Sequence, residues 1–173
     1  MLDKYTHTSK DNWIWERARL EDADEIGELA YDHYATEISE FFAPSAECMS
    51  YNISKDIVDQ KYNILKSFVI VARHRETGKI LAYSWCVRDY APWSNEEMLS
   101  IKMAHVLQSL SVRDRITLCA QMIQQWELFC RIAGVPVICS TTMRGSQDTF
   151  LKLHTQAGYT VRGSFAYKRV IQA

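Results

Sequence analysis

The stretch Ser109–Ile123, SLSVRDRITLCAQMI, sets two arginines, Arg113 and Arg115, around a turn that leads into a long helical pattern. Cations beside a helix N-terminus, where backbone N–H groups have no intrahelical acceptor, make a ready anion site. Turns that cradle phosphate usually carry glycine, because the backbone must approach the ligand and sometimes take positive φ. This stretch has no glycine. Taken alone, its residues allow a phosphate cradle built without glycine or an ordinary turn with two solvated arginines. The five cysteines (Cys48, Cys86, Cys119, Cys130 and Cys139) form no C-x-x-C pair and sit among apolar neighbours. They read as buried free thiols in a reducing compartment, and no His/Cys set has metal-ligand spacing.

The elements that must position this turn follow from periodicity. WIWERAR, Trp13–Arg19, alternates at first and suits a strand. Ile26, Ala30, Tyr34 and Ile38 then fall four apart, with Asp22 or Asp24 as cap, and predict a helix. A second helix is expected over NISKDIVDQKYNILKSF, capped by Asn52 or Ser54, followed by a hairpin of Phe68–Arg73 and Ile80–Asp89 turning at Gly78. The segment from Ala91 to Ser111 is ambiguous. Ser94 and Glu97 spell a capping box and local propensity favours helix, whereas Met103, His105 and Leu107 would share one face of a strand. Ile116, Cys119, Ile123, Trp126, Cys130 and Ala133 stripe a long helix that stops at Gly134 and Pro136. VPVICSTT reads as a strand buried on both faces, GSQDTFLKLHTQAGY as a helix capped by Ser146, and YTVRGSFAYKRVIQ as two short strands around Gly163.

A chain of 173 residues with net charge −1 fits one domain, residues 1–173, with residues 1–11 as a loosely packed N-terminal segment. It has no domain-wide basic field, which argues against nucleic acid as a partner. The polar opening MLDKYTHTSK is no signal peptide, and no apolar run reaches membrane-spanning length. A soluble protein of a reducing, cytoplasmic or otherwise intracellular compartment is expected, with no membrane partner.

The order of elements resembles the GCN5-related N-acetyltransferase (GNAT) superfamily over nearly the whole chain. RARLEDADEIGELA looks like that family's opening strand and acidic helix start. TFLKLHTQAGYTVRGSFAYKRV looks like its closing segment, with Leu153, Gly158 and Tyr159 in frame. The resemblance implies an α/β (α+β) fold, a mixed, mostly antiparallel sheet of about six to seven strands with helices on both faces. It also implies acetyl transfer from acetyl-CoA, as co-substrate, to a small-molecule or protein amine. Acetyl-CoA would lie in a splay between the fourth and fifth strands, so the resemblance favours a fourth strand over roughly Met103–Ser109.

Counting back from Gly134 by the family's usual helix length puts its Q/R-x-x-G-x-G/A pyrophosphate turn on Asp114, Arg115, Ile116, Thr117, Leu118 and Cys119. Thr117 and Cys119 then stand in the glycine places, and Arg113 lies one residue before the expected Arg or Gln. Leu107 and Ser109 on the strand, and Gln147 at the last helix, complete the implied cofactor contacts; Gln147 also suits a helix start. For chemistry, His105 is the implied base, with water-mediated Glu96, Glu97 or Asp89 as alternatives. His154, where the family usually has tyrosine, is the implied acid, with Tyr159 and Tyr167 as alternatives. Each has a plainer reading: His105 as a half-buried strand histidine, His154 as a hydrogen-bonded packing histidine. Trp93, beside Pro92, is the tryptophan expected at the surface. A second function class is a GNAT-like domain without catalysis, serving a protein partner as a structural subunit. A third, a different α/β binding module, follows if Met103–Ser109 is helical.

Overall fold

A computed structural model describes residues 11–39, 41–141 and 148–162. Five strands among these residues form one sheet in chain order: β1 Trp13–Arg17, β2 Ser67–His74, β3 Ile80–Tyr90, β4 Glu97–Val106 and β5 Val137–Ser140. The first four pair antiparallel, and β5 lies parallel to β4. Parallel neighbours need a long crossover, and α3 (Val112–Ala133) supplies it. Helices α1 (Ala23–Ile38) and α2 (Ala46–Tyr62) precede β2, and α4 (Asp148–Gln156) follows β5.

Alternation along the strands divides the core between the two faces of the sheet. Val69, Val71 and Tyr83 join Ile26, Ala30, Ile53 and Ile57 of α1 and α2 in one cluster. Phe68, Ile70, Leu99 and Ile101 join Leu118, Met122, Ile123 and Trp126 of α3 and Leu153 of α4 in the other. Helices thus cover both faces, as expected. The sheet has five strands among the described residues, against about six to seven implied by the resemblance. Tyr159–Arg162 is not a strand, and the rest of the expected closing pair, with Gly163, lies outside the described residues.

Several boundaries differ from expectation for local reasons. Helix α2 starts at Ala46 because the Ser45 hydroxyl caps it, accepting from the Cys48 N–H at 3.2 Å; it ends at Tyr62, short of Phe68. Residues 97–106 are strand, which removes the helical alternative and the third function class with it. The Ser94–Glu97 signature does not cap a helix: Ser94 Oγ accepts from the Glu96 N–H at 3.0 Å, while the Glu97 carboxylate crosses to Arg88 and Tyr90 on β3. Strand β4 also ends at Val106, so Leu107 and Ser109 lie in the connection to α3. Gly134 at φ 68° ends α3, donating to the Cys130 carbonyl. Strand β5 is intermediate to exposed rather than buried on both faces. Cys86 and Cys130 are buried, but Cys119 and Cys139 are intermediate and Cys48 is exposed; all five are free thiols. Trp93 is exposed, as anticipated. No helix among the described residues is long and apolar enough to cross a membrane.

Candidate functional site

Strands β4 and β5 pair only from Met98↔Val137 to Ile101↔Ser140. There β5 ends, while β4 runs five residues further, to Val106. From Lys102 onward, among the described residues, the β5-side edge of β4 is therefore open. A cleft of about 370 Å³ lies against this edge. Its walls come from both faces of the sheet: Tyr34, Met103 and His105 from the α1 side, Ile116, Trp126 and Phe150 from the α3–α4 side. The gap passes through the sheet, so a ligand lying along α3 can present its end to the α1 face.

Two side chains hold the open edge. The Tyr34 hydroxyl donates to the Ala104 carbonyl at 3.0 Å and accepts from the Ala104 N–H at 3.4 Å. Gln108 Nε2 donates to the Val106 carbonyl at 3.3 Å, and Arg115 Nη1 donates to Gln108 Oε1 at 2.6 Å. Buried backbone groups need partners, and these side chains bond the groups that no strand among the described residues pairs with. Arg115 Nε is buried in the cleft wall with no hydrogen-bond partner among the described residues.

The turn ahead of α3 lies further toward the N-terminus than counting back from Gly134 suggested. Ser111 is the cap: its hydroxyl accepts from the Asp114 N–H at 3.1 Å and donates to the Asp114 carboxylate at 2.7 Å. Thr117 and Cys119 are inside the helix, where the Thr117 hydroxyl donates to the Arg113 carbonyl at 2.9 Å. Their backbone N–H groups belong to the helix ladder, so Asp114–Cys119 is helix where a turn was expected.

The expected site residues separate accordingly. His105, Arg115 and Cys119 line the cleft together. Leu107 is core, its N–H bonded to the Leu81 carbonyl at 2.9 Å. Ser109, Arg113, Asp114 and Thr117 are outside the lining. Gln147 lies outside the described residues, as does Tyr167. His105 is buried, opposite Tyr83 in the strand register, and its ring stacks on His33 of α1 with centroids 3.2 Å apart.

His154 is also buried but stands behind the cleft. Nδ1 meets the Phe150 carbonyl at 2.9 Å and Nε2 meets Ser140 Oγ at 3.1 Å. Burial pushes its pKa down, partly offset by the Phe150 contact. Burial likewise pushes the Tyr159 phenol well above its ordinary range and the Cys130 thiol up to about 11.

Tyr34 and Gln108 were not singled out from the sequence. Tyr34 reads as one more apolar position on the α1 face, and nothing local signals that its hydroxyl crosses to β4. Gln108 stands three residues before the small cap residue Ser111, a spacing that counting back from Gly134 does not reach.

No protein-family model matches the chain, and no curated protein matches its sequence. Solved structures do resemble it. A predicted acetyltransferase with acetyl-CoA from Clostridium acetobutylicum superposes with a TM-score of 0.70 at 9% identity, over 91% of this chain and 96% of that one. AAC(6')-Iy in complex with the bisubstrate analog CoA-S-monomethyl-acetylneamine gives 0.64 at 13% identity, over 92% and 99%. A transcriptional regulator from Bacillus halodurans C-125 gives 0.67 at 12% identity, over 91% and 99%. The chain has the fold of these proteins, the GNAT fold that its sequence resembles.

Proposed function

We propose that the protein transfers an acetyl group from acetyl-CoA to an amine, with the thioester arm lying in the gap between β4 and β5. The observation that carries this reading is the open β4 edge beyond Ile101, bordered by a through-sheet cleft. Extended amide-bearing ligands bind such edges by adding a strand. The apolar walls from α3 and α4 suit the arm's methylenes, and Arg115 places a cation where the arm would meet the pyrophosphate. In the frame the helix start sets, Gln108 takes the Arg/Gln place of the family turn, and Ser111 and Arg113 take the glycine places.

The chemistry divides across the sheet. The amine nitrogen attacks the thioester carbon, the carbon–sulfur bond breaks, the thiolate gains a proton and the nitrogen sheds one. His105, facing α1, is the group placed to take the amine's proton. His154 has both ring nitrogens engaged and lies outside the lining, which supports a positioning role at the end of β5. Fit is weaker at the helix start, where the Asp114 carboxylate and Ser111 hydroxyl already occupy the cap. That cap favours the second reading, a domain of this fold that binds a protein partner without catalysis.

Calorimetric titration with acetyl-CoA separates the two. One-site, micromolar binding supports the transferase and justifies screening small-molecule and peptide amines. Absence of binding at high concentration sinks it in favour of the partner-binding domain.

A further inference from the structure

We infer that Tyr34 is a latch on the cleft, its hydroxyl standing in for a ligand amide on the Ala104 backbone and leaving when an acyl-carrying arm docks; this rests on the reading of the cleft as an acetyl-CoA site. Ala104 pairs with Ser84 across β3, yet its own N–H and C=O turn the other way and meet the Tyr34 hydroxyl. They therefore lie on the open edge, where β5 would have bonded had it continued past Ser140.

A hydroxyl can donate once and accept, so one phenol serves both backbone groups of Ala104. The two contacts are unequal: donation to the carbonyl is 3.0 Å, acceptance from the N–H 3.4 Å. An incoming carbonyl competes for the weaker one first, and an incoming N–H then displaces the stronger. The exchange is local because Tyr34 comes from α1, on the opposite side of the gap from the α3–α4 wall that would hold the rest of the arm. The latch also protects the free protein. An open strand edge beside an apolar cleft invites pairing with another chain, and a side chain on its backbone groups blocks that.

Breaking the latch subtracts from binding, so removing the hydroxyl should tighten it. Tyr34→Phe keeps the ring and its packing. Exchange of one neutral hydrogen bond corresponds to an affinity gain of about threefold to tenfold. The experiment is acetyl-CoA titration of the wild-type protein and Tyr34→Phe, with amide hydrogen exchange at Ala104 in each. The expected result is tighter binding by the variant, faster Ala104 exchange in its free form, and equally slow exchange once acetyl-CoA is bound. Equal or weaker binding by a folded Tyr34→Phe, with the wild-type protein still binding, overturns the latch and leaves the transferase reading standing. Ala104 exchange that acetyl-CoA does not slow overturns it too. No binding by either protein overturns both.

Discussion

Ser111 and Asp114 close a reciprocal cap on α3: one hydroxyl accepts the Asp114 N–H at 3.1 Å and donates to the Asp114 carboxylate at 2.7 Å. The pair settles the helix but puts a negative charge beside the place proposed for pyrophosphate. Capping stabilises, while like charge repels the ligand. Asp114→Asn is therefore expected to lower stability by about 0.3–1 kcal/mol, the worth of an acidic residue in a first helical turn. It should also raise acetyl-CoA affinity, more at low than at high salt, because exposed charges are screened. Titration at two ionic strengths checks this; an affinity blind to the substitution would move the phosphate away from this helix start.

Arg113 and Arg115 are equivalent in sequence and unequal in space. Arg115 lines the cleft and is tied to Gln108, whereas Arg113 is exposed and outside the lining. A hydrogen bond to a charged group contributes about 1.5–3 kcal/mol, so Arg115→Ala should weaken acetyl-CoA binding by roughly tenfold or more. Arg113→Ala should leave it within about twofold, the effect of a screened surface charge. The two dissociation constants decide, and the reverse ranking would reassign the cation.

What the sequence made legible was what local chemistry controls. The stripe on α3, its stop at Gly134 and the β2–β3 hairpin follow from period and turn residues within one element. β4 was obscured because Ser94 and Glu97 mimic a helix start, and only the cross-strand partners Arg88 and Tyr90 redirect Glu97. The start of α3 was not reached by counting back from Gly134, because no glycine marks it and a helix of 22 residues leaves its start to be found by its serine cap. Of the site, His105 could be reached from strand alternation once β4 was accepted. Tyr34 could not, since its role depends on where α1 crosses β4, a contact 70 residues apart in the chain.

His154 makes stability depend on pH. Burial holds its folded pKa below the ordinary 6.5, so in mildly acidic solution the unfolded chain takes up a proton that the folded ring resists. The contribution is complete above 6.5 and is lost as pH falls through the depressed folded value. His154→Phe should flatten the decline in urea midpoint below pH 6.5. At pH about 8 it should still cost roughly 1 kcal/mol, the usual loss of a hydrogen bond, here the one to Ser140. A variant that keeps the wild-type slope would trace the pH dependence to another group.

Gly27 fixes how closely α1 approaches α2. A Cβ added there would overlap Ser50 Oγ and lie 3.0 Å from both Ser50 Cβ and Ser50 N. Alanine improves helix propensity by about 1 kcal/mol, but overpacking a buried contact costs about 1–3 kcal/mol, so the crowding wins. Gly27→Ala is expected to lower Tm, and Ser50→Gly in the same chain to recover part of the loss. A double-mutant cycle should give a coupling of at least roughly 0.5 kcal/mol, the range for residues in contact. Additive losses would mean that the helices part without Ser50 resisting. The same displacement reaches the cleft, because α1 carries Tyr34 two turns further on. If α1 is pushed off, the Tyr34 hydroxyl withdraws from Ala104, and Gly27→Ala should reproduce the faster Ala104 exchange of Tyr34→Phe. Faster Ala104 exchange in Gly27→Ala that Ser50→Gly reverses would tie the packing of the two helices to access at the β4 edge.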